Sequence, residues 1–304
     1  MPSFVHTIRL YDRNIRIKCK ELDFLSYKNL TKTIYTNDSE AINSYIDQVL
    51  EDLVVNADIS KLDIIDKFIV LGYIREVGIS SEFQLSAVCE QTEKEYTINI
   101  DLQKVLDQLN KVNLEKSYES KSAGITVNFQ LPTSFNATTL SDVVAASIHS
   151  IINKAGDEIK IPDYADRSQI LEKLPVTVLS DFEKFLKRED EKLNKLSIFR
   201  YRSPHSDDSP INTYKFSFFD TSMIELLKLL FQEDLLQMYE FEYDMYTVCK
   251  VPYEVVKNNS FSELQVLYNI EARRQKESQQ QPGTPEGAFP TPGPAGPPPN
   301  YDQQ

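Results

Sequence analysis

One stretch constrains this chain more than any other: "LDIIDKFIVLGYIREVGIS", Leu62 to Ser80. Leu62, Ile64, Ile65, Phe68, Ile69, Leu71, Tyr73 and Ile74 cover most of the circumference of a helix. A helix apolar nearly all round has to be buried on several sides. Ser60 with Asp63 three residues later is an N-terminal capping pattern, and Gly78 followed by Ile79 is a C-terminal stop. The pattern therefore predicts a central core helix over 60–77. It does not predict a membrane span, because Asp63, Asp66, Lys67, Arg75 and Glu76 interrupt it. Its longest uncharged run, Phe68 to Ile74, falls far short of the ~18 residues a span needs. Gly72 costs roughly 1 kcal/mol relative to Ala inside a helix, which predicts the close approach of a neighbouring element.

A chain of 304 residues can build one large domain or two ordinary ones around such a helix. Its formal charge of -13 excludes a nucleic-acid partner, since those require a basic stripe. The start, "MPSFVHTIRLYDRNIRIK", is strand-like and charged rather than an apolar leader. Cys19, Cys89 and Cys249 lie far apart, which gives no disulfide framework and fits a reducing compartment. Together these features predict a soluble protein of the cytosol with no membrane insertion, in which the Asn-x-Ser/Thr matches at Asn29, Asn136 and Asn258 are chance.

Glycine and proline divide the chain. Of 15 Pro and 8 Gly, eight Pro and four Gly fall after Gln281, so the body is glycine-poor, as helices joined by short connections are. The segment 281–304 cannot bury enough apolar surface to fold and is expected to be an extended, disordered tail. Upstream, 6–19 alternates around a turn and reads as a β-hairpin, followed by helical patterns at 23–36, 39–56 and 60–77. "SEFQLSAVCE" and "KEYTINID" predict a second hairpin, 101–111 a short helix and "GITVNFQLP" a strand. Leu140, Val144, Ile148, Ile151 and Ile152 form one helical stripe ending at Gly156. An amphipathic helix through Val178, Phe182 and Phe185 comes next, then a hairpin over 196–219 and helices at 222–247 and 261–280 with capping boxes at Ser222–Glu225 and Ser260–Glu263. The expected class is α+β: mainly helical, with small antiparallel hairpins in both halves. The expected division is an N-terminal α+β domain at 1–132, a mainly helical domain at 133–280 and the tail at 281–304.

Catalytic chemistry finds little material. The chain has 3 His and no Trp, and contains no Walker loop, GxGxxG, GxSxG or HExxH. His149, between two isoleucine-rich turns, reads as a helix-surface or core imidazole. His205 beside Asp207 and Asp208 offers three possible ligands in four residues, but the same Ser/Asp/Pro loop reads as solvated polarity. The acidic run Glu189, Asp190, Glu191 shares its helix with lysines and reads as a solvated face. No metal, cofactor or catalytic residue is assigned.

Surfaces remain. The segment 222–247 carries more apolar side chains than one neighbour can cover, so either both of its sides are internal or one meets a partner. Its Met, Tyr and Phe content suits an interface core. Phe219, Met238, Tyr239, Tyr243 and Tyr246 are the candidate partner-binding residues, with the two C-terminal helices as the docking surface.

The order of these elements resembles a known family. "NIRIK", "YKNLTKTIYTND" and "INSYIDQVLEDLV" lead into the helix with Asp66, Phe68 and Arg75, then a hairpin with Cys89 closing in "YTINIDL". "KLPVTVLSDFEKFLK", "KFSFF" before a long helix and "SFSELQVLYNIEARR" follow. Over about residues 6–275 this is similar to the baseplate hub assembly family of contractile-tailed bacteriophages of the T-even type. The resemblance implies a non-enzymatic protein that assembles or forms part of the central hub. It would bind other tail and baseplate hub proteins in the host cytoplasm during assembly, and either stay in the virion tail baseplate or leave once assembly is done. Some relatives carry paired cysteines in both hairpins, as a metal knuckle would; here only Cys89 is kept, so no metal is expected. An interaction scaffold or assembly chaperone of an unrelated complex, or a carboxylate-dependent enzyme, are the alternatives.

Overall fold

A computed structural model describes residues 5–10, 14–89, 91–122, 124–135, 139–161, 164–195, 200–205, 211–213, 219, 222–231 and 233–280. The expected disordered tail, 281–304, lies outside the described residues. The fold is mainly helical with small antiparallel sheets. Strands β1 (Val5–Leu10) and β2 (Ile15–Lys20) pair as the first hairpin. Helices α1 (Phe24–Tyr35), α2 (Ser39–Leu53) and α3 (Ile64–Gly78) follow. Asp23, Asp38 and Asp63 cap them, their carboxylates accepting from backbone N–H groups of the first turns. The expected cap at Ser60 is displaced: Ile59–Lys61 form a separate 3-10 turn capped by Asp58, and Asp63 starts α3.

Helix α3 is the buried centre, and its buried charges Asp66, Lys67 and Arg75 are met by partners from other parts of the chain. The carboxylates of Asp63 and Asp66 lie 3.0 and 2.6 Å from the Lys116 ammonium. Burial alone pushes that ammonium down, but the two carboxylates outweigh it and raise it above its ordinary value. Lys67 donates to Asp47 of α2 at 2.6 Å and to the Thr133 carbonyl. Arg75 donates to the carbonyls of Leu230, Ser80 and Glu82. Gly72 meets the expected close neighbour: a β-carbon there would collide with Leu106 of α4 (Leu102–Leu109).

Strands β3 (Glu82–Val88) and β4 (Glu95–Asp101) form the second hairpin. Strands β5 (Ser117–Ser122), β6 (Ile125–Gln130), β7 (Ile148–Ile152) and β8 (Glu158–Lys160) make a four-stranded antiparallel meander. Here the single helix expected up to Gly156 is corrected. Helix α5 (Leu140–Ser147), opened by a Thr139–Asp142 capping box, stops at Ser147, and Ile148–Ile152 pair with β6 instead. The β-branched Ile148, Ile151 and Ile152 suit a strand, and the β6 edge offers backbone partners that an isolated helical stripe lacks.

Helices α6 (Tyr164–Leu171) and α7 (Val176–Asn194) come next. Helix α7 lies on the meander, with Phe182 stacked on Phe129 at 4.0 Å and Phe185 on Tyr118 at 5.0 Å. Glu189 overturns the solvated-face reading. It is fully buried, holds Arg188 and Lys192 at 3.0 and 2.7 Å, and accepts from the Glu115 N–H. Those contacts outweigh the burial that would raise its carboxyl and leave it below the usual range.

Of the hairpin expected over 196–219, β9 (Arg200–Tyr201) and β10 (Asn212–Thr213) pair antiparallel, and most of the rest lies outside the described residues. The helix expected at 222–247 is two: α8 (Ser222–Phe231) and α9 (Leu235–Thr247). Side chains capture the last carbonyls of α8, Arg75 at Leu230 and Thr31 at Phe231, and Asp234 caps α9. Helices α10 (Tyr253–Asn258) and α11 (Phe261–Gln280) complete the described residues. One hydrophobic cluster runs from Ile8 of β1 to Leu264 of α11.

Candidate partner-binding surface

Helix α9 presents two different faces. Inward, Met238 and Met245 are buried, and the half-buried Phe241 ring sits 5.1 Å from Phe261 and 5.8 Å from both Tyr268 and Phe24. That aromatic group joins α9 to α11 and α1. Outward, Leu236, Tyr239 and Tyr243 recur at the spacing of one helical stripe, with 66 %, 46 % and 64 % of their surfaces exposed. The exposed Glu240, one turn after Leu236, lies beside that stripe. On the other side α1 brings two ammoniums to the Tyr239 ring, Lys28 at 5.1 Å and Lys32 at 5.2 Å from its centroid. An apolar strip with tyrosines, bounded by charge, has the composition of an interface core and rim.

The five residues singled out from sequence divide between these faces. Tyr239 and Tyr243 are on the surface stripe, while Phe219 and Met238 are in the core at 2 % and 3 % exposure. Tyr246 is half-buried, packs its ring 5.9 Å from Tyr253 and donates to Glu242 at 3.1 Å. Burial, then the adjacent carboxylate, holds the Tyr246 hydroxyl well above its ordinary range. The contributions of α1 through Lys28 and Lys32 are invisible in sequence, since they lie some two hundred residues from Tyr239.

Beside this stripe, a cleft of about 740 Å³ opens between α3–β3 and the start of α9. Arg75, Glu82, Gln84, Glu233, Gln237 and Phe241 are among its lining residues. Arg75 Nη2 is 3.6 Å from Glu233, and its Nε and Nη1 donate to carbonyls, so it acts as a strut of the cleft wall.

The other sequence candidates do not converge. His149 is on strand β7, half-buried, rather than on a helix. His205 reaches the Glu95 carbonyl at 3.3 Å and lies edge-on to Tyr96, which docks the β9–β10 hairpin on β3–β4; Asp207 and Asp208 lie outside the described residues. Cys89, hidden at the same junction, has its thiol drawn down to about 6 by hydrogen bonds from Ser203 and then Thr92. Among the described residues, no three His, Cys, Asp or Glu are grouped as metal ligands, and no helix is long and apolar enough to cross a membrane.

A family model described as "T4 bacteriophage base plate protein" matches residues 1–195. The matched part runs from β1 through α7, and the α9 stripe lies beyond it. No curated protein and no solved structure matches the chain.

Proposed function

The chain belongs to the T4 bacteriophage base plate protein family, and from that premise we propose that it serves the central hub of the baseplate through protein–protein contacts, without catalysis. Membership makes it a structural protein of a T4-type phage baseplate, and such a protein meets other baseplate components. The finer reading is that it docks on a hub protein with the outer stripe of α9. In this reading it folds in the host cytoplasm, joins the growing tail there and works by holding a partner in place.

The observation that carries this reading is the exposure of Leu236, Tyr239 and Tyr243 on a helix whose opposite face is locked into the core. Burying Tyr side chains at an interface contributes large contact area at small entropic cost. The inner face keeps α9 rigid, so a partner would meet a preformed surface. The test is co-expression with the other tail proteins followed by affinity capture of this chain. Hub components should come down with the wild type and be lost with Tyr239→Ala/Tyr243→Ala, while the melting temperature falls by no more than about 4 °C. Unchanged capture by the folded double variant would overturn the assignment of this surface.

A further inference from the structure

Helix α11 carries a second exposed apolar stripe, separate from the one on α9. Its inner face is anchored by the buried Leu264 and the half-buried Phe261 and Tyr268. On its outer face Val266, Leu267 and Ile270 are 58 %, 41 % and 44 % exposed. Glu263, Val266, Ile270 and Arg273, all exposed, follow one another at spacings of three, four and three, which puts them on a single line along the helix.

That line reads acid, aliphatic, aliphatic, base. Turned end to end against a copy of itself, it brings each Glu263 to an Arg273 and each Val266 to an Ile270, the layer pattern of two antiparallel helices. A twofold interface demands this kind of self-complementarity. A partner segment of uniform charge would meet the wrong sign at one end of the stripe. We propose that two copies of this chain associate through α11, packed antiparallel along Glu263, Val266, Ile270 and Arg273. The net charge of -13 opposes this at long range, but salt screens charges beyond about 8 Å at physiological ionic strength. The facing pairs then decide the outcome. A seam this short makes a weak dimer, with a dissociation constant of roughly micromolar or above.

The test is sedimentation of the full chain at rising concentration. The wild type should pass from monomer to dimer by about 0.1 mM. Glu263→Arg alone and Arg273→Glu alone should each be monomeric, because each sets like charges against each other at both ends. An equimolar mixture of these two variants should dimerise, since it restores opposite charges at both ends, and so should the Glu263→Arg/Arg273→Glu double variant. All these positions are exposed, and circular dichroism checks that the helix content is unchanged. A wild type that stays monomeric over this range, or single variants that associate as it does, would overturn the proposal.

Discussion

The ammonium of Lys28 donates to both carboxylate oxygens of Glu242, at 2.8 and 2.7 Å, across 214 residues of sequence. Lys28 is 6 % exposed, so this pair is largely withdrawn from water, and Tyr246 supplies a further donor to Glu242. It joins α1, inside the family-matched region, to α9, outside it. The same lysine lies 5.1 Å from the Tyr239 ring, so the tie also positions one edge of the exposed stripe.

Breaking this pair from either side should be costly, because the remaining charge stays buried. Lys28→Met or Glu242→Leu alone is expected to lose about 3 kcal/mol of stability. The double variant should recover most of that loss, since two apolar side chains of similar volume replace a desolvated pair. Urea denaturation of the three variants checks it, and additive losses would show that the two residues act independently.

Gly72→Ala offers a test of the α3–α4 contact. Helix propensity alone would make the substitution stabilising by roughly 1 kcal/mol. The collision of the new methyl with Leu106 works the other way, and overpacking of a close-packed core costs about 1–3 kcal/mol. The net expectation is destabilisation, and the same substitution should cost less in a Leu106→Ala background, where the collision is absent. A more stable Gly72→Ala variant would mean that the two helices part easily.

Glu189 gives the stability a pH dependence. Its carboxyl sits below the unfolded value of 4.5, so its contribution is fully present above that pH. The contribution is lost as pH falls through the lower, folded value. Glu189→Gln should therefore lower stability at neutral pH and flatten the acid limb below about pH 4.5. Stability measured by denaturant at several pH values decides; an acid limb as steep as that of the wild type would assign the loss to other carboxylates.

How much of this was legible in the sequence depended on where the partners lie. Helix α3 could be read because its apolar residues and the cap at its end are local, and Gly72 announced a close neighbour without naming Leu106. The turn from α5 into β7 was hidden. Ile148, Ile151 and Ile152 satisfy a helical stripe equally well, and only pairing with β6 decides between the two. Strand β5, "SYESKS", lacks the apolar alternation that marks a strand and exists through its ladder with β6. The break between α8 and α9 depends on Arg75 and Thr31, both far away in the chain. The candidate site was half legible: the surplus of apolar residues on 222–247 was visible, but which of them face out is set by α1 and α11. That is why Met238 and Tyr239, adjacent in sequence, end on opposite sides of the helix boundary.

Tyr239 and Tyr243 allow that division to be tested directly. Tyr243 is 64 % exposed, so Tyr243→Ala should shift the melting temperature little. Tyr239 has the Lys28 and Lys32 ammoniums over its ring, and its removal should cost about 0.5–1 kcal/mol of stability. If the stripe is the docking surface, each substitution should weaken binding of the captured hub component by about 1–2 kcal/mol or more, well beyond its effect on folding. Met238→Ala is the contrast, because its buried side chain should lower stability by about 2–5 kcal/mol and affect binding only through unfolding. Titration calorimetry with the captured component, paired with thermal melts of each variant, separates the cases. Tyrosine variants that unfold as Met238→Ala does would make the stripe part of the core, whereas stable variants with unweakened binding would move the contact to another face.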